Sequence, residues 1–318
     1  MGISPRYMHT FQQAGINPKD ITDLSSLQNV TSTGMVLSDA LFEWFYDTGF
    51  PSHVQLENIT GGTDLGGCFG IGNPLDPVYV GGCQGGSLGI AVAVFDQSIE
   101  SGPGREVEDG VPGELVARKG FPNQPVFFWG DKTGEKYHNA YYARFEGVWT
   151  HGDFIMKHPI TGQIFILGRS DGVLNPSGVR FGSAEIYNVI EEHFIKDVLD
   201  SICVGQRRQK DSDESVVLFL MMQPRKKFTQ ELVESIKRKI GQELSKRHVP
   251  KYVFETPQGF IPTTVNLKKV ELPVKQIISG MRIKPSGTLA NPQVLDYYYQ
   301  FAEDEVLEKG MGAVKSKL

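Results

Sequence analysis

Cysteine is scarce in this sequence, and long apolar runs are missing. The 318 residues include three cysteines, Cys68, Cys83 and Cys203, without the spacing of a metal-ligand set. An odd number of unpatterned cysteines predicts reduced thiols in an intracellular protein. No stretch approaches the roughly 20 apolar residues of a membrane span, and the N-terminus has no apolar signal core. These absences argue against a disulfide-stapled secreted domain and against a membrane-embedded chain.

A strong charge excess and a dinucleotide fingerprint are also missing. The formal net charge is −5, which gives no indication of a nucleic-acid partner. The run GGCQGG at 81–86 does not have G-x-G-x-x-G spacing. What remains is an ordinary globular composition with 40% hydrophobic residues. The length predicts about two domains.

The most informative stretch is the glycine-rich segment at 168–186, GRSDGVLNPSGVRFGSAEI. Arg169 and Arg180 supply guanidinium groups suited to phosphate or carboxylate. Asp171 and the glycine after it predict a turn, and Ser183 opens a predicted amphipathic helix. Phosphate handling is one interpretation of this segment. An ordinary connector between a strand and a helix is the other.

Three further segments combine polar and flexible residues: ITGGTDLGG at 59–67, WTHGD at 149–153 and PTTVNLKKVE at 262–271. Asp64 in the first is chemically adequate for Mg²⁺, which takes one or two carboxylates beside substrate phosphates, but it would also suit a helix cap. Asp153 in the second could accept hydrogen bonds from hydroxyl groups or simply form a turn. The two lysines of the third are equally consistent with a solvated loop.

Taken together, these motifs resemble the adenylate-forming acyl-CoA synthetases, and most of all the acetoacetyl-CoA synthetase family. The resemblance runs over essentially the whole chain and corresponds to the C-terminal part of such an enzyme. It implies an adenylate-forming enzyme fold of mixed α/β and α+β class. It also implies Mg²⁺ as cofactor, with ATP and CoA as co-substrates.

The resemblance implies a nucleotide site built from five residues. Gly34 lies in the turn expected to pack against adenine. Thr63 would approach phosphate, and Asp64 would bind the metal. Asp153 would accept hydrogen bonds from the ribose hydroxyls, with Arg169 at the same end of the nucleotide.

Two more positions would act on the acid and on the phosphates. Relatives that form acetyl-CoA have tryptophan at the position of Gly61, so glycine would leave the acyl pocket open to an acid larger than acetate. Lys268 falls on the lysine that offsets charge during adenylation. The residue before it is Leu267, where the family loop has glycine, and the neighbouring Lys269 is the alternative candidate.

The segment at 168–186 is implied to be the hinge. Asp171 would be the pivot of a lid that serves two half-reactions. Ser177 and Gly178 would face the approaching CoA, and Arg180 would reach phosphate.

We expect three parts: 1–75 as the remnant of a parallel α/β subdomain, 76–170 as a small β-barrel subdomain, and 171–318 as an α+β lid. Predicted helices cover 7–15 and 38–46, the latter capped by Ser38, and strands are predicted at 27–31, 88–95, 113–117 and 163–167. The lid is predicted to have the order αββαβ with a final helix, in which Thr229 starts the second helix.

The implied reaction joins acetoacetate to CoA through an acyl-adenylate, with release of AMP and pyrophosphate. Acetyl-CoA or medium-chain acyl-CoA synthesis is the alternative within the enzyme class, and a non-catalytic nucleotide-binding remnant is the alternative outside it. The family's Gly/Ser/Thr-rich triphosphate loop is not found in the sequence. We therefore expect an incomplete enzyme whose isolated chain is inactive.

The sequence ends in Ser316, Lys317 and Leu318. This tripeptide at the C-terminus is the address read by the peroxisomal import receptor. It predicts a location in the peroxisomal matrix, with the cytosol as the alternative. No nucleic-acid partner is expected.

Overall fold

The computed structural model describes residues 1–307 and 309. The chain divides into two compact units, residues 1–170 and the part from Asp171 onwards. No helix among the residues described is long and apolar enough to cross a membrane.

The first unit combines short strands with a few helices. Its strands are β1 Gly2–Ile3, β2 Asn29–Ser32, β3 Gln55–Asn58, β4 Thr60–Gly62, β5 Gly67–Ile71, β6 Gly82–Cys83, β7 Gly85–Gly86, β8 Val92–Phe95, β9 Gly113–Ala117, β10 Trp149–Lys157 and β11 Ile164–Arg169. Its helices are α1 Pro5–Ala14, α2 Pro18–Ile21, α3 Asp39–Trp44, which continues into a π-helical turn at Phe45–Gly49, and α4 Glu135–Tyr141.

A small parallel sheet forms the N-terminal part of the first unit. Strands β1, β2 and β3 lie side by side in that order. Apolar residues of α1, α3 and the π-helical turn, such as Met8, Phe42 and Phe45, pack around Val30. The two predicted helices are therefore present. Ser38 occupies the predicted N-cap position of α3. Its side chain does not cap the helix, because the buried hydroxyl has no hydrogen-bond partner among the described residues.

The rest of the first unit contains two antiparallel sheets. One has the order β6-β11-β10-β9-β8, and the other has the order β4-β5-β7. Among the described residues, β6 and β8 are the edge strands of the five-stranded sheet, and the assignment of 76–170 as a β-barrel subdomain stays a prediction. The strand predicted at 88–95 begins only at Val92. Leu88 lies in an exposed turn, since its apolar side chain has no core to face.

The second unit is a three-stranded sheet with helices on it. Its elements are α5 Ser183–Phe194, β12 Val198–Gln206, β13 Ser215–Met222, α6 Gln230–Glu243, β14 Tyr252–Glu255, α7 Glu271–Ile278, α8 Leu295–Tyr298 and α9 Asp304–Leu307. The sheet order is β12-β13-β14, with an antiparallel first pair and a parallel second pair. The predicted order αββαβ is confirmed, but three helices, α7, α8 and α9, follow it among the described residues, where one final helix was predicted. Thr229 caps α6 by accepting a hydrogen bond from the amide of Leu232.

Strand β13 explains why the second unit has two cores. Successive side chains of a strand point to opposite faces. Val216 and Leu218 contribute to the core that contains α5 and α6. Val217 and Phe219 contribute to the core that contains α7 and α8. The sheet is thus buried on both faces. The predicted peroxisomal signal, Ser316–Leu318, lies outside the described residues.

Candidate active site

Asp153 lies at the centre of a cluster of polar side chains in the first unit. It lies on β10 opposite Arg169 of β11, and the Arg169 Nη1 donates to Asp153 Oδ1 over 2.9 Å. The Thr60 hydroxyl is 3.4 Å from Asp153 Oδ2. Asp153 is 8% exposed, so its carboxylate is held in a fixed orientation. Such a group can accept hydrogen bonds from two neighbouring hydroxyls.

Gly152 allows this pairing to form. Its φ of +84° is unfavourable for other residues. A Cβ at this position would lie 2.8 Å from the Arg169 Nη2. Glycine is therefore required both by the backbone and by the guanidinium group that lies across it.

His151 is a residue of this site to which the sequence assigned no role. Its Nε2 lies 3.3 Å from the carbonyl oxygen of Gly61 and 3.7 Å from Asp153 Oδ2. Its ring packs against Phe69 at a centroid distance of 4.5 Å. Burial lowers the pKa of His151, while the nearby Asp153 carboxylate opposes that shift. The neutral ring with a proton on Nε2 fits two acceptor neighbours.

The sequence offered only a weak signal for His151, its position two residues before Asp153. The rule that residues two apart on a strand share a face does not hold here, because β10 is irregular between Thr150 and Phe154 and Gly152 has a positive φ. The contact with Gly61, 90 residues away in the chain, could not be found from spacing either.

Thr63 and Asp64 lie in the exposed turn between β4 and β5. Asp64 Oδ2 accepts a hydrogen bond from the Tyr141 hydroxyl. Tyr141 in turn stacks on Trp149 with a ring separation of 3.6 Å. Burial, followed by the Asp64 carboxylate, raises the pKa of Tyr141. The carboxylate of Asp64 is thus oriented by an aromatic stack.

Asp64 would offer Mg²⁺ a single, exposed carboxylate ligand. Mg²⁺ keeps several waters and takes few protein ligands when substrate phosphates supply the rest, so Asp64 can hold the ion together with a nucleotide. Among the described residues, three side chains close enough to share a metal ion are Glu192, His193 and Glu243 of the second unit. In that group Glu243 already pairs with Lys239 at 2.6 Å.

Gly61 lies against the backbone of the neighbouring strand. It pairs with Cys68 across β4 and β5. A Cβ on Gly61 would collide with the carbonyl oxygen of Gly67 and lie 2.7 Å from the Cα of Cys68. The space in the Cβ direction of Gly61 is therefore occupied by β5, and the place of Gly61 in an acyl pocket stays a prediction.

Gly34 lies in the turn that follows β2. Its φ is +100°, a conformation that favours glycine. Because β2 and β3 are parallel neighbours with Ser32 opposite Asn58, the turn at Gly34 and the start of β4 leave the same edge of the sheet. Ligands of α/β proteins commonly bind at this carboxyl edge.

In the second unit, residues 171–182 form a loop that we call the hinge loop. Leu174 and Phe181 exchange two backbone hydrogen bonds of 3.0 Å and close its base. Asp171 begins the loop, and Arg180 is exposed near its end. At the tip, Ser177 has a φ of +52°, and Gly178 follows at +81°. The sequence-predicted residues of this segment are thus brought into one closed loop.

Lys268 lies on an exposed loop of the second unit. Its amide donates to the Thr264 hydroxyl over 3.2 Å, and Thr263 and Lys269 pair across the loop. Leu267 has a φ of +60°. The glycine expected there is thus explained by conformation, since a left-handed residue suits glycine best.

Lys269 has a different environment. Its Nζ lies 3.0 Å from Asp200 Oδ1 and donates to the Ser201 carbonyl over 2.9 Å. It also lies 3.9 Å from the centre of the Tyr187 ring. The Lys269 side chain is 12% exposed. These contacts occupy the ammonium group in holding the loop to β12 and α5.

Comparison with known proteins agrees with the motifs. The chain matches no protein-family model. It is 43% identical over 303 residues to an acetoacetyl-CoA synthetase of Xenopus tropicalis, covering 95% of this chain and 43% of the relative. It is 41% identical over 307 residues to a malonamoyl-CoA synthetase of Penicillium aethiopicum, covering 95% and 40%.

A solved structure gives the same result. The acetoacetyl-CoA synthetase from Streptomyces lividans superposes with a TM-score of 0.81 and 34% identity, covering 95% of this chain and 44% of that one. The chain therefore spans less than half the length of the relatives it matches. It is a homologue of the acetoacetyl-CoA synthetases and has part of the fold of the adenylate-forming ligases.

Proposed function

We propose that this chain provides the ribose, metal and lid contacts of an ATP-dependent ligase that converts acetoacetate and CoA to acetoacetyl-CoA. The observation that carries the proposal is the nearly buried Asp153, held by Arg169 on the neighbouring strand, in a chain 43% identical to acetoacetyl-CoA synthetases. In the first half-reaction, the acid carboxylate attacks the α-phosphorus of ATP and pyrophosphate leaves. In the second, the CoA thiolate attacks the acyl-adenylate and AMP leaves.

Nucleotide binding and adenylation, the first half-reaction, use one set of residues. Asp153 accepts hydrogen bonds from the ribose hydroxyls, and Arg169 keeps that carboxylate in place. Thr63 lies beside the phosphates, and Asp64 holds Mg²⁺, which neutralises phosphate charge when bound. Lys268 offsets the charge that develops during adenylation, and its exposure supports this role over the enclosed Lys269.

The finer architecture belongs to the same proposal. Residues 1–75 and 76–170 form the end of the large N-terminal part of the enzyme, and 171–318 form its lid. A rotation at Asp171 would replace Lys268 with the hinge loop, so that Ser177 and Gly178 meet CoA and Arg180 meets phosphate. Such a step lets one lid serve two reactions.

Nucleotide binding by the 318-residue chain tests the proposal most directly, because turnover draws on every part of an enzyme. We expect AMP to bind in calorimetry, and Asp153→Asn to weaken that binding about tenfold, since a charged acceptor is lost. The control is Asp109→Asn, which removes an exposed carboxylate paired with Lys157. A chain that binds no adenine nucleotide would contradict the proposal.

An acid panel then separates the alternatives. Pyrophosphate release is compared for acetoacetate, malonamate, acetate and hexanoate in a chain completed at its N-terminus with the corresponding part of a relative. Malonamate is included because a malonamoyl-CoA synthetase is also a relative. Preference for acetoacetate supports the proposal, and preference for acetate or hexanoate supports the other acyl-CoA synthetases. Nucleotide binding without any acid-dependent pyrophosphate supports a non-catalytic binding protein.

We further propose that the C-terminal Ser316-Lys317-Leu318 directs the protein to the peroxisomal matrix through the import receptor. A fluorescent fusion that ends in the native tripeptide should be punctate and coincide with a peroxisomal marker. Removing Leu318 should make the signal diffuse. A diffuse signal from the intact tail would place the protein in the cytosol.

A further inference from the structure

The first residues of the hinge loop are held by side chains from two other parts of the second unit. Lys275 of α7 donates to the carbonyl oxygen of Val173 over 3.0 Å and lies 3.5 Å from that of Asp171. Glu214, which precedes β13, accepts a hydrogen bond from the amide of Asn175 over 2.6 Å. Its other carboxylate oxygen lies 3.8 Å from Lys275 Nζ.

The loop tip is held in the same manner. Asp213 accepts hydrogen bonds from the amide of Ser177 over 2.7 Å and from its hydroxyl over 2.5 Å. These bonds lower the pKa of the exposed Asp213, so the carboxylate stays charged. They hold Ser177 in its left-handed conformation, which costs energy for a residue other than glycine. We call Asp213, Glu214 and Lys275 the polar clamp.

Burial makes Glu214 the fixed part of the clamp. Its side chain is 9% exposed, and its carboxyl group occupies the space where Gly205 would carry a Cβ. A carboxylate with so little exposure needs hydrogen-bond and charge partners. The Asn175 amide and the Lys275 ammonium provide them, so displacing the hinge loop would leave a buried charge with fewer partners.

We propose that the polar clamp fixes residues 171–177 to the body of the second unit, so that backbone rotation is confined to the junction at Asp171. Glu214 and Lys275 are then positioning residues for the second half-reaction, an inference that rests on the proposed ligase function. Hinge motions are carried by a few residues between rigid bodies. Without the clamp, torsion would spread along the loop, and Ser177 and Gly178 would no longer be presented to CoA in one conformation.

Hydrogen exchange tests the clamp without requiring activity. In the full chain, Lys275→Met and Glu214→Gln should each speed amide exchange at 173–179 by about tenfold, the loss expected for one charge-assisted hydrogen bond. Exchange in α6 should stay unchanged. Lys275→Arg should restore protection, and Lys227→Met, which alters an exposed lysine of the same unit, should have no effect. Glu214→Gln keeps the side-chain size, so it remains informative if Lys275→Met does not fold.

Kinetics distinguish a positioning role from a structural one. In a chain completed at its N-terminus with the corresponding part of a relative, thioester formation from supplied acetoacetyl-adenylate should fall about tenfold in Lys275→Met, while nucleotide affinity stays within about twofold. Equal hydrogen exchange in Lys275→Met and Lys227→Met, or faster hydrogen exchange throughout the second unit, would overturn the clamp. If the completed wild-type chain forms no thioester, the proposed function fails, but hydrogen exchange still decides whether the clamp exists.

Discussion

Lys268 and Lys269 show, at the scale of single residues, how neighbours in sequence acquire different chemistry. Lys268 is exposed on a loop. The Lys269 ammonium group contacts Asp200, the Ser201 carbonyl and the Tyr187 ring. Lys268 is the proposed adenylation lysine, whereas Lys269 holds the loop to β12 and α5. The two roles can be separated by mutation.

In a chain completed at its N-terminus with the corresponding part of a relative, we expect Lys268→Ala to slow adenylation by about 10²–10³, the usual effect of removing one preorganised charge-stabilising group, with little change in stability. Lys269→Ala should instead lower the free energy of unfolding by about 3–5 kcal/mol, because it removes the ammonium group from a nearly buried carboxylate. Urea unfolding and ATP–pyrophosphate exchange measure the two effects. A stable Lys269→Ala protein with crippled exchange would transfer the catalytic role to Lys269.

His151 leads to a prediction about pH. Burial lowers the pKa of His151 in the folded protein, although Asp153, the Gly61 carbonyl and Asp64 favour the proton and Arg169 opposes it. The unfolded chain therefore takes up the proton first as the pH falls below 6.5, the ordinary value for this group. The stability contributed by neutral His151 is present above that pH and is lost as the pH falls further.

Urea unfolding at pH 8 and at pH 5.5 measures this effect. The wild type should lose more free energy of unfolding between the two values than His151→Gln, which keeps a side-chain donor but does not titrate. Other ionisable groups contribute to both proteins and cancel in the comparison. The same pH dependence in both would show that His151 is not held neutral.

At the scale of elements, the β4–β5 hairpin determines which side chains fit at position 61. The hairpin brings Gly61 against the backbone of Gly67 and Cys68, so any side chain must force the strands apart. The same hairpin carries the carbonyl that contacts His151. The hairpin therefore helps to position His151 beside Asp153, and it also positions Thr63 and Asp64 in its turn.

We expect Gly61→Ala to destabilise the protein by at least the ~1–3 kcal/mol typical of overpacking, because the colliding atoms belong to the backbone. Thermal unfolding and soluble yield provide the measurement. Gly85→Ala on β7 is the matched control, since a Cβ there meets no atom within 4 Å. A Gly61→Ala protein as stable as Gly85→Ala would show that the hairpin can open.

At the scale of the whole molecule, the second unit has what an independent domain needs. Its sheet carries a core on each face, and α5, α6 and α7 cover them. Phe219 is fully buried and contacts the rings of Tyr298 and Phe301. Contacts within the second unit therefore stabilise it, and we predict that it folds on its own.

Residues 171–318 expressed alone should unfold in one cooperative thermal transition. Phe219→Ala should lower the free energy of unfolding of this fragment by about 3–5 kcal/mol, the usual cost of removing a buried aromatic side chain. Circular dichroism follows both. A broad, non-cooperative transition in the unaltered fragment would show that the second unit depends on the rest of the chain.

Local patterns in the sequence determined much of this protein. Strand β9 has its predicted bounds, and α6 begins after its predicted Thr229 cap, because alternation and capping depend on neighbouring residues. The motifs also indicated the relationship to acetoacetyl-CoA synthetases, to one of which the chain is 43% identical over 303 residues.

Only the tertiary structure decided what fills the space around those motifs. It placed β5 beside Gly61, His151 against a carbonyl 90 residues away, and Lys269 between β12 and α5. It also left 88–91 outside β8, although the apolar run predicts a strand from residue 88. Each outcome depends on contacts between residues far apart in the chain. Burial and close approach arise from such contacts, whereas spacing along the sequence records only which residues are neighbours.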